Sequence, residues 1–311
     1  MGCFYFITSR GISDCMQTRI LFIVNPKSGS SLGRVDVVAL LHQQIDKSLF
    51  LYDIVVTEYA GHATELAQKA AADFYAVVCA VGGDGTVNEV ARGLVFTDTA
   101  LAILPHGSGN GLARHLGIPL QISPAIAVIN QQYRSRIDSC TINSHPFFCT
   151  AGIGFDAQVS SAFASSLKRG LSTYVRLIWQ EFLKYIPKPI VLNFNDQEIN
   201  TNCFVLAFAN ASQYGNNAYI APMADIRDGL LDICLIEHLN FRKALSISYG
   251  LLSKQIATSP DARFFQTTSI QVQSQDLFKF HADGEFMGEA KSFTVEIRPS
   301  SLQVIIPESK T

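Results

Sequence analysis

The sequence lacks the features that mark disulfide-rich, zinc-binding or membrane-spanning proteins. Its seven cysteines are scattered and include no Cys-x-x-Cys pair, so neither a disulfide framework nor a cysteine zinc site is indicated. A chain that keeps its cysteines reduced is expected in the cytoplasm. No apolar run approaches the ~18 residues of a membrane-spanning helix. The sequence therefore predicts a cytoplasmic protein, and any contact with the inner membrane surface would be peripheral.

The sequence also lacks a large excess of positive or negative charge. The net charge is −2, and charged residues make up only 16% of the chain. Proteins that bind nucleic acid carry a basic excess or a basic stripe, so nucleic acid is not an expected partner. The 311 residues are 48% apolar, which suits two domains or one large one. Residues 1–18 are interpreted as an N-terminal extension, and Met16 is an alternative native start.

The phosphate-binding motif Gly-x-x-x-x-Gly-Lys-Ser/Thr is absent, which excludes a P-loop kinase. In its place, an apolar run at 77–81 is followed at once by Gly82, Gly83, Asp84 and Gly85. The run predicts a strand buried on both faces, as in a parallel sheet. Thr86 is predicted to cap a following helix, with Glu89 completing a capping-box spacing.

A strand, a glycine turn and a helix start collect free backbone N–H groups at one point, which suits an anion. Glycines let the backbone approach a phosphate without a Cβ in the way. A carboxylate in such a loop is unusual unless a cation lies between it and the phosphate, so Asp84 suggests Mg²⁺. The alternative is a plain turn between strand and helix, in which the glycines serve only the bend.

Strands and helices alternate over residues 19–135, which predicts a doubly wound nucleotide-binding α/β domain. Three polar or glycine-rich turns, at 25–29, 82–86 and 105–111, fall at the carboxyl ends of its strands and can converge on one ligand. Residues 136–311 change to strand patterns without interleaved helices, apart from helical stretches at about 157–186 and 241–256. This half predicts an antiparallel β-sandwich whose last strand returns to the first domain.

Five motifs in this order resemble the diacylglycerol kinase catalytic-domain family, which includes bacterial lipid kinases and sphingosine kinases. They begin at Asn25, Gly82, Pro105, Gly152 and Asp283 and read Asn-Pro-Lys-Ser-Gly, Gly-Gly-Asp-Gly-Thr-Val-Asn-Glu, Pro-His-Gly-Ser-Gly-Asn, Gly-Ile-Gly-Phe-Asp and Asp-Gly-Glu. The Gly-Gly-Asp-Gly-Thr motif alone is shared with NAD kinases and phosphofructokinases. The resemblance covers nearly the whole chain and implies an α/β domain plus a β-sandwich, with the site in the cleft between them.

The resemblance also implies roles for individual residues. Glu285 would be the catalytic base, with Asp283 beside it and Asp84 near the phosphates and Mg²⁺. Asp156 would contact the substrate, while Asp225, Asp228 and the Leu230 carbonyl would hold a structural Mg²⁺. ATP would be bound by residues of the three loops and their neighbours: Asn25, Pro26, Lys27, Ser28, Gly29, Thr57, Gly82, Gly83, Asp84, Gly85, Thr86, Asn88, Glu89, Gly107, Ser108 and Asn110.

One position departs from the family pattern. Many bacterial members carry Asn-Asp after the third turn, whereas this chain has Asn110-Gly111, which looks more like sphingosine kinases. One acid of the family's metal network is therefore missing. The acceptor implied by the resemblance is a lipid hydroxyl at the membrane surface, from diacylglycerol or a sphingoid base, and a homodimer is left open.

Each site has a simpler alternative. Asp283-Gly-Glu285 is also a strong hairpin-turn signal, and Asp225 and Asp228 also fit a solvated loop. Apolar residues from Phe163 to Ile186 follow helical spacing with Lys168, Arg169, Arg176 and Lys184 nearby, which fits either a helix on an anionic bilayer or a helix packed on the sandwich.

For function, the predicted activity is ATP- and Mg²⁺-dependent phosphorylation of a lipid hydroxyl. The alternatives are an NAD kinase-like enzyme and a non-catalytic nucleotide- or lipid-binding regulator. Retention of both Asp84 and Glu285 argues against the regulator.

Overall fold

The computed structural model describes residues 17–29, 36–166 and 171–308. Most of the predicted N-terminal extension, the start of the first helical segment, and the cations Lys168 and Arg169 lie outside these ranges. Within them, every cysteine is buried and unbonded. None of the helices in the same ranges is both long and apolar enough to cross a membrane.

Four parallel strands form one half of the sheet, in the order β2-β1-β3-β4. Their apolar runs explain the arrangement, because every residue of β3 and β4 is buried. The carboxyl ends of parallel strands share one edge, so the loops after them meet there. The strands are β1 (Thr18–Val24), β2 (Phe50–Val56), β3 (Val77–Gly82) and β4 (Ala100–Pro105).

Helices alternate with these strands, as the sequence predicts for a doubly wound domain. They are α1 (Val37–Gln44), α2 (His62–Ala72), α3 (Asp84–Leu94), α4 (Gly111–His115) and α5 (Ile122–Gln131). Helix α5 was not anticipated from the sequence. Its Pro124 lies in the first turn, where a missing N–H has no helical partner to lose.

The second half is antiparallel throughout its strand pairings. Its strands are β5 (Arg134–Ile142), β6 (His145–Phe147), β7 (Thr150–Gly154), β8 (Lys188–Phe194), β9 (Gln197–Cys203), β10 (Val205–Ala209), β11 (Leu231–Ile236), β12 (Arg263–Thr267), β13 (Ser269–Ala282) and β14 (Glu285–Ile305). Inward-facing residues of these strands form a second apolar core, separate from that of the α/β domain. The predicted fold class, an α/β domain plus an antiparallel sandwich, is confirmed.

Strand β14 connects the two halves. Most of it pairs with β13 and β5, but Val304 near its end lies parallel to Leu101 of β4. The chain therefore returns to the first domain at its last strand. Because β14 begins directly after the Asp-Gly turn, the same strand links that turn to the α/β sheet.

Among the described residues, three α-helices lie outside the sheet of the second half: α6 (Phe155–Ala164), α7 (Leu171–Phe182) and α8 (Phe241–Ser253). The helical stretch predicted at 157–186 thus corresponds to two described helices. Phe182 and Tyr185 pack with Phe155 and Phe204 over a third apolar cluster. Helix α7 is therefore packed on the sandwich through one face.

Candidate active site

Asn25 fastens the first loop (residues 25–29) to the second loop (residues 82–86). Its side-chain amide donates to Thr86 Oγ1 at 2.9 Å. Its own Oδ1 accepts the Lys27 N–H at 2.9 Å, which shapes the turn and leaves the lysine side chain exposed. The asparagine thus holds the first loop against the start of α3, with a cation at the surface of the loop.

The predicted helix cap is wrong. Helix α3 begins at Asp84 with Gly83 in the capping position, and Thr86 lies buried inside its first turn. Glu89 accepts a hydrogen bond from the Ala63 N–H at 3.2 Å, so it braces α2 and completes no capping box. Gly83 has no side chain to accept from the first-turn N–H groups, which leaves them available to an anionic ligand.

Asp84 joins the second loop to the third loop (residues 105–110). Its Oδ2 accepts the Asn110 N–H at 2.8 Å and its Oδ1 accepts the Gly111 N–H at 2.6 Å. The carboxylate therefore faces the sheet edge where the loops meet, and each oxygen retains a lone pair for a further ligand. Position 111 is occupied by a backbone donor and presents no second acid.

The second and third loops touch through their backbones. A Cβ atom at Gly107 would lie 2.5 Å from Gly83 Cα, closer than real Cβ atoms come. Asn110 closes the third loop by accepting from the Gly107 N–H at 3.1 Å and donating to the Gly107 carbonyl at 2.8 Å. Glycine at position 107 is therefore required by the close approach of the two backbones, and a Cβ at Gly83 would make a tight contact of 3.2 Å with Gly107 Cα.

The remaining predicted nucleotide contacts surround this edge. Thr57 continues the pairing of β2 with β1 through its N–H to the Val24 carbonyl at 2.9 Å. Ser28 Oγ donates to the Asn25 carbonyl at 2.7 Å, so it shapes the first loop. Residues exposed at the loop surfaces are Pro26, Lys27, Gly29 and Ser108, whereas Thr86, Asn88 and Asn110 are buried supports.

Asp283 is a brace between the two domains. It lies at a two-residue hairpin turn with φ of 48°, followed by Gly284 at 82°, so the predicted turn alternative is also realised. Its Oδ1 accepts the Cys149 and Thr150 N–H groups at 2.8 and 3.0 Å. Its Oδ2 accepts the Phe148 N–H at 2.9 Å and the Asn88 side-chain amide at 2.6 Å. With both oxygens engaged, this carboxylate fixes the turn onto α3.

Glu285 is the acid that the brace leaves accessible. A Cβ atom at Gly85, in the first turn of α3, would lie 3.0 Å from Glu285 Oε1. Glu285 is partly exposed to solvent, but desolvation by the surrounding protein raises the pKa of its carboxyl. The positive charge of Arg92 opposes this rise, and the negative charges of Glu89 and Asp283 add to it. A carboxyl with a raised pKa beside a helix N-terminus suits a general base.

Arg92 was missed by the sequence-based prediction. Among the described residues, its Nε and Nη2 atoms are buried without a hydrogen-bond partner, and its charge acts on Glu285. A signal was present, because Arg92 follows Asn88 by four residues and therefore shares its face of α3. That face is the one that meets the Asp-Gly-Glu turn.

Asp156 occupies the first turn of α6 and forms a small polar cluster. Its Oδ2 accepts from Tyr214 Oη at 3.0 Å and lies 3.2 Å from His281 Nε2, while its Oδ1 accepts the Ala157 N–H at 2.7 Å. His281 Nδ1 accepts the Gly284 N–H at 3.3 Å, so Nε2 carries the proton donated to Asp156. The histidine thereby links Asp156, the residue predicted to contact the substrate, to the Asp-Gly-Glu turn.

Asp225 and Asp228 lie in one loop with Leu230, as the metal prediction requires, but they form local turns there. Asp225 Oδ1 accepts the Arg227 N–H at 3.1 Å, and Asp228 Oδ1 accepts the Leu230 N–H at 2.9 Å. Within the described ranges, no group of three or more acidic, histidine or cysteine side chains could hold a metal ion. A cation here would need backbone and water oxygens to complete its ligands.

The fold and this site define a class of protein. Glycine-rich loops with exposed amides and a cation meet a carboxylate held in place by a second domain. Such an arrangement is typical of a kinase that lacks a P-loop.

Comparison with known proteins identifies the family. Residues 19–142 match the model of the diacylglycerol kinase catalytic domain. Residues 149–306 match the model of the YegS C-terminal NAD kinase beta sandwich-like domain. The chain belongs to the diacylglycerol kinase catalytic-domain family of lipid kinases, which confirms the resemblance noted in the sequence. Membership of this family supports kinase activity for the chain.

Individual relatives with similar sequences or folds carry the same family names. The chain is 31% identical over 259 residues to a probable YegS-like lipid kinase of Chromohalobacter salexigens, covering 81% of this chain and 83% of the relative. It is 27% identical to a diacylglycerol kinase of Staphylococcus saprophyticus, covering 88% and 91%. A crystal structure of a putative diacylglycerol kinase from Bacillus anthracis superposes with a TM-score of 0.78 at 21% identity, covering 98% of this chain and all of that one, which shows the common fold.

Proposed function

We propose that this protein is an ATP- and Mg²⁺-dependent lipid kinase that transfers the γ-phosphoryl group to a lipid hydroxyl, with Glu285 as the base. The observation that carries the proposal is the contact of Glu285 with the first turn of α3, where Oε1 would lie 3.0 Å from a Cβ at Gly85. This contact brings a proton acceptor from one domain to the anion-binding helix start of the other.

The residues at the sheet edge fit a triphosphate. The first turn of α3 has no side-chain cap, Gly83 and Gly107 leave the backbone bare, and Lys27 is exposed beside them. Backbone N–H groups, a helix N-terminus and one cation together stabilise phosphate charge. This chain would bind the nucleotide mainly through its backbone.

Asp84 fits Mg²⁺ as a single protein ligand. Mg²⁺ is usually held by one or two carboxylates together with phosphate and water oxygens. Asp84 has lone pairs left after its two hydrogen bonds, and Gly111 supplies no second acid. When bound, Mg²⁺ would neutralise charge on the transferred group. Asp225, Asp228 and the Leu230 carbonyl remain the proposed ligands of a second, structural Mg²⁺.

In the proposed reaction Glu285 takes the proton of the acceptor hydroxyl. The acceptor oxygen bonds to the γ-phosphorus while the bond from that phosphorus to the β–γ bridging oxygen breaks, so ADP leaves with the electron pair. Asp283 cannot easily share the proton, because four donors already occupy its two oxygens. Its part is to hold the turn that carries Glu285.

The polar cluster favours an uncharged acceptor. Asp156 Oδ2 already faces two donors, Tyr214 Oη and His281 Nε2, and the Asp156 side chain is only 12% exposed. An amine of a sphingoid base would have to displace one of them. A neutral hydroxyl lipid such as diacylglycerol needs no such exchange and is the proposed acceptor. The enzyme would meet it at the cytoplasmic surface of the inner membrane.

The test is phosphoryl transfer from radiolabelled ATP to a panel of lipids in mixed micelles, resolved by chromatography. We expect Mg²⁺-dependent labelling of diacylglycerol, little labelling of sphingosine, and labelling at least about a hundredfold slower with the Glu285→Gln variant. Labelling of NAD would instead support an NAD kinase-like enzyme. Nucleotide binding without labelling of any acceptor would support a non-catalytic regulator.

A further inference from the structure

Helix α7 leaves one apolar stripe uncovered. Val175 and Trp179 on the helix and Leu183 just after it follow each other at four-residue intervals and are 45%, 43% and 83% exposed. The opposite face is used for packing, since Thr173 and Leu177 are buried there. The exposed stripe is therefore not needed for packing the helix on the domain.

Helix α8 carries a second stripe of the same kind. Phe241, Leu245, Tyr249 and Leu252 lie along one side and are 49–67% exposed, whereas Ile247 on the other side is buried. The rings of Phe241 and Trp179 lie 5.9 Å apart. The two stripes thus meet and form one continuous apolar surface, called here the α7/α8 face.

The charges beside this face are mostly positive. Arg176, Lys184 and Arg242 are exposed, and helix α8 contains no aspartate or glutamate. The nearby acids are engaged: Glu181 accepts from Gln158 at 2.8 Å, and Asp261 pairs with Lys243 at 2.6 Å. The chain as a whole has a net charge of −2, so this positive bias is local.

The α7/α8 face lies behind the polar cluster of the site. Phe155, next to Asp156 at the start of α6, has its ring 6.0 Å from that of Phe182 and 5.7 Å from that of Tyr185. The Phe182 ring also lies 6.3 Å from that of Trp179, so Phe182 links the α7/α8 face to Phe155, the residue beside Asp156. A lipid leaving a bilayer at this face would have a short path to the site.

We propose that the α7/α8 face docks on an anionic phospholipid bilayer, with α8 and α7 contributing together. Exposed Trp and Phe at an interface flanked by Arg and Lys, with no free acid, match the composition of interfacial amphipathic helices. The inference rests on the proposed function, because an enzyme that phosphorylates a lipid must reach its acceptor at a bilayer.

The test is co-sedimentation of the full chain with vesicles of phosphatidylcholine and phosphatidylglycerol, without nucleotide or acceptor. The paired variants Trp179→Ser/Leu183→Ser and Leu245→Ser/Leu252→Ser are each expected to lower the partition coefficient at least tenfold. Arg176→Gln/Arg242→Gln is expected to remove the preference for phosphatidylglycerol over pure phosphatidylcholine, and salt is expected to do the same.

Matched controls come from the α/β domain. Phe74→Ser/Leu51→Ser removes two apolar side chains that are 88% and 56% exposed, and Lys47→Gln/Lys69→Gln removes two exposed cations. Neither control is expected to change vesicle binding. Thermal unfolding verifies that each variant folds, since all these positions are at the surface.

Equal loss in the variants and the controls, or no binding by the parent chain, would overturn the proposal. Normal vesicle binding by the Leu245→Ser/Leu252→Ser variant would also overturn it, because helix α8 would then contribute nothing to binding. A parent dimer that the same variants dissociate, seen by analytical ultracentrifugation without vesicle binding, would assign the face to a second copy instead. Vesicle binding without lipid phosphorylation would refute the proposed function and leave this inference intact.

Discussion

The two halves of the site are built in opposite ways. In the α/β domain, the side chains of Asn25, Thr86 and Asn110 make hydrogen bonds within and between loops whose glycines leave the backbone uncovered. In the sandwich, the Asp-Gly-Glu turn presents one carboxylate, Glu285, and uses the other as an internal brace. In the proposed function, nucleotide binding would therefore be distributed over many amides, whereas proton transfer would depend on a single side chain. Substitutions on the two sides should accordingly fail in different ways.

The largest effect is expected from Glu285→Gln. The amide keeps the size of the side chain but cannot take a proton, so turnover should fall by about 10²–10⁴-fold. Nucleotide affinity, measured by isothermal titration calorimetry, should change little, because the amides of the other domain bind it. The matched variant Glu289→Gln, an exposed acid four residues along β14, should keep full activity. Parallel losses of affinity and turnover would contradict the division of labour.

Asp283→Ala should damage the fold as well as the rate. It leaves three backbone N–H groups and the Asn88 amide without their acceptor, which should cost about 3 kcal/mol or more in the free energy of unfolding. Urea unfolding measures this cost. Asp196→Ala is the control, because Asp196 is exposed at the β8–β9 hairpin turn with φ of 57° and tests the strain of alanine at positive φ. Equal destabilisation by both variants would show that Asp283 acts only as a turn residue.

Gly85→Ala probes the contact between the two sides. Alanine in a helix is favoured over glycine by about 1 kcal/mol, so α3 itself should not be weakened. The new Cβ would lie 3.0 Å from Glu285 Oε1 and should displace that carboxylate, with a loss of about tenfold in kcat. Gly111→Ala, whose Cβ would have no neighbour closer than 3.5 Å, should remain active. A fully active Gly85→Ala enzyme would argue against Glu285 as the base.

The sequence was sufficient to predict the parts of this site that are local. The buried runs of β3 and β4 and the glycines after them predict both the parallel sheet and the edge where the loops meet. The turn alternative for Asp283 was equally local, and the structure realises it together with the link between domains.

The remaining features depend on contacts between residues far apart in the chain. Asp283 accepts from Asn88 across 195 positions, and Asp156 meets His281 across 125. No pattern within one element reveals such pairs. The Thr86 cap was predicted wrongly for the same reason: the hydroxyl meets Asn25, 61 positions earlier, inside a helix that Gly83 starts. Side-chain partners follow from topology, which periodicity indicates only coarsely.

The smallest expected effect is on the pH profile, and it measures how the two sides share charge. Desolvation raises the pKa of Glu285, and Arg92 on α3 opposes that rise. A base acts only when deprotonated, so the rate is lost as pH falls through the pKa of the folded protein, and a raised pKa moves this loss to higher pH. Arg92→Met removes the opposing cation and should shift the acid limb of kcat/KM further upward. Arg263→Met, on β12, should leave the limb in place, and a downward shift in Arg92→Met would show that Arg92 does not stabilise the ionised base.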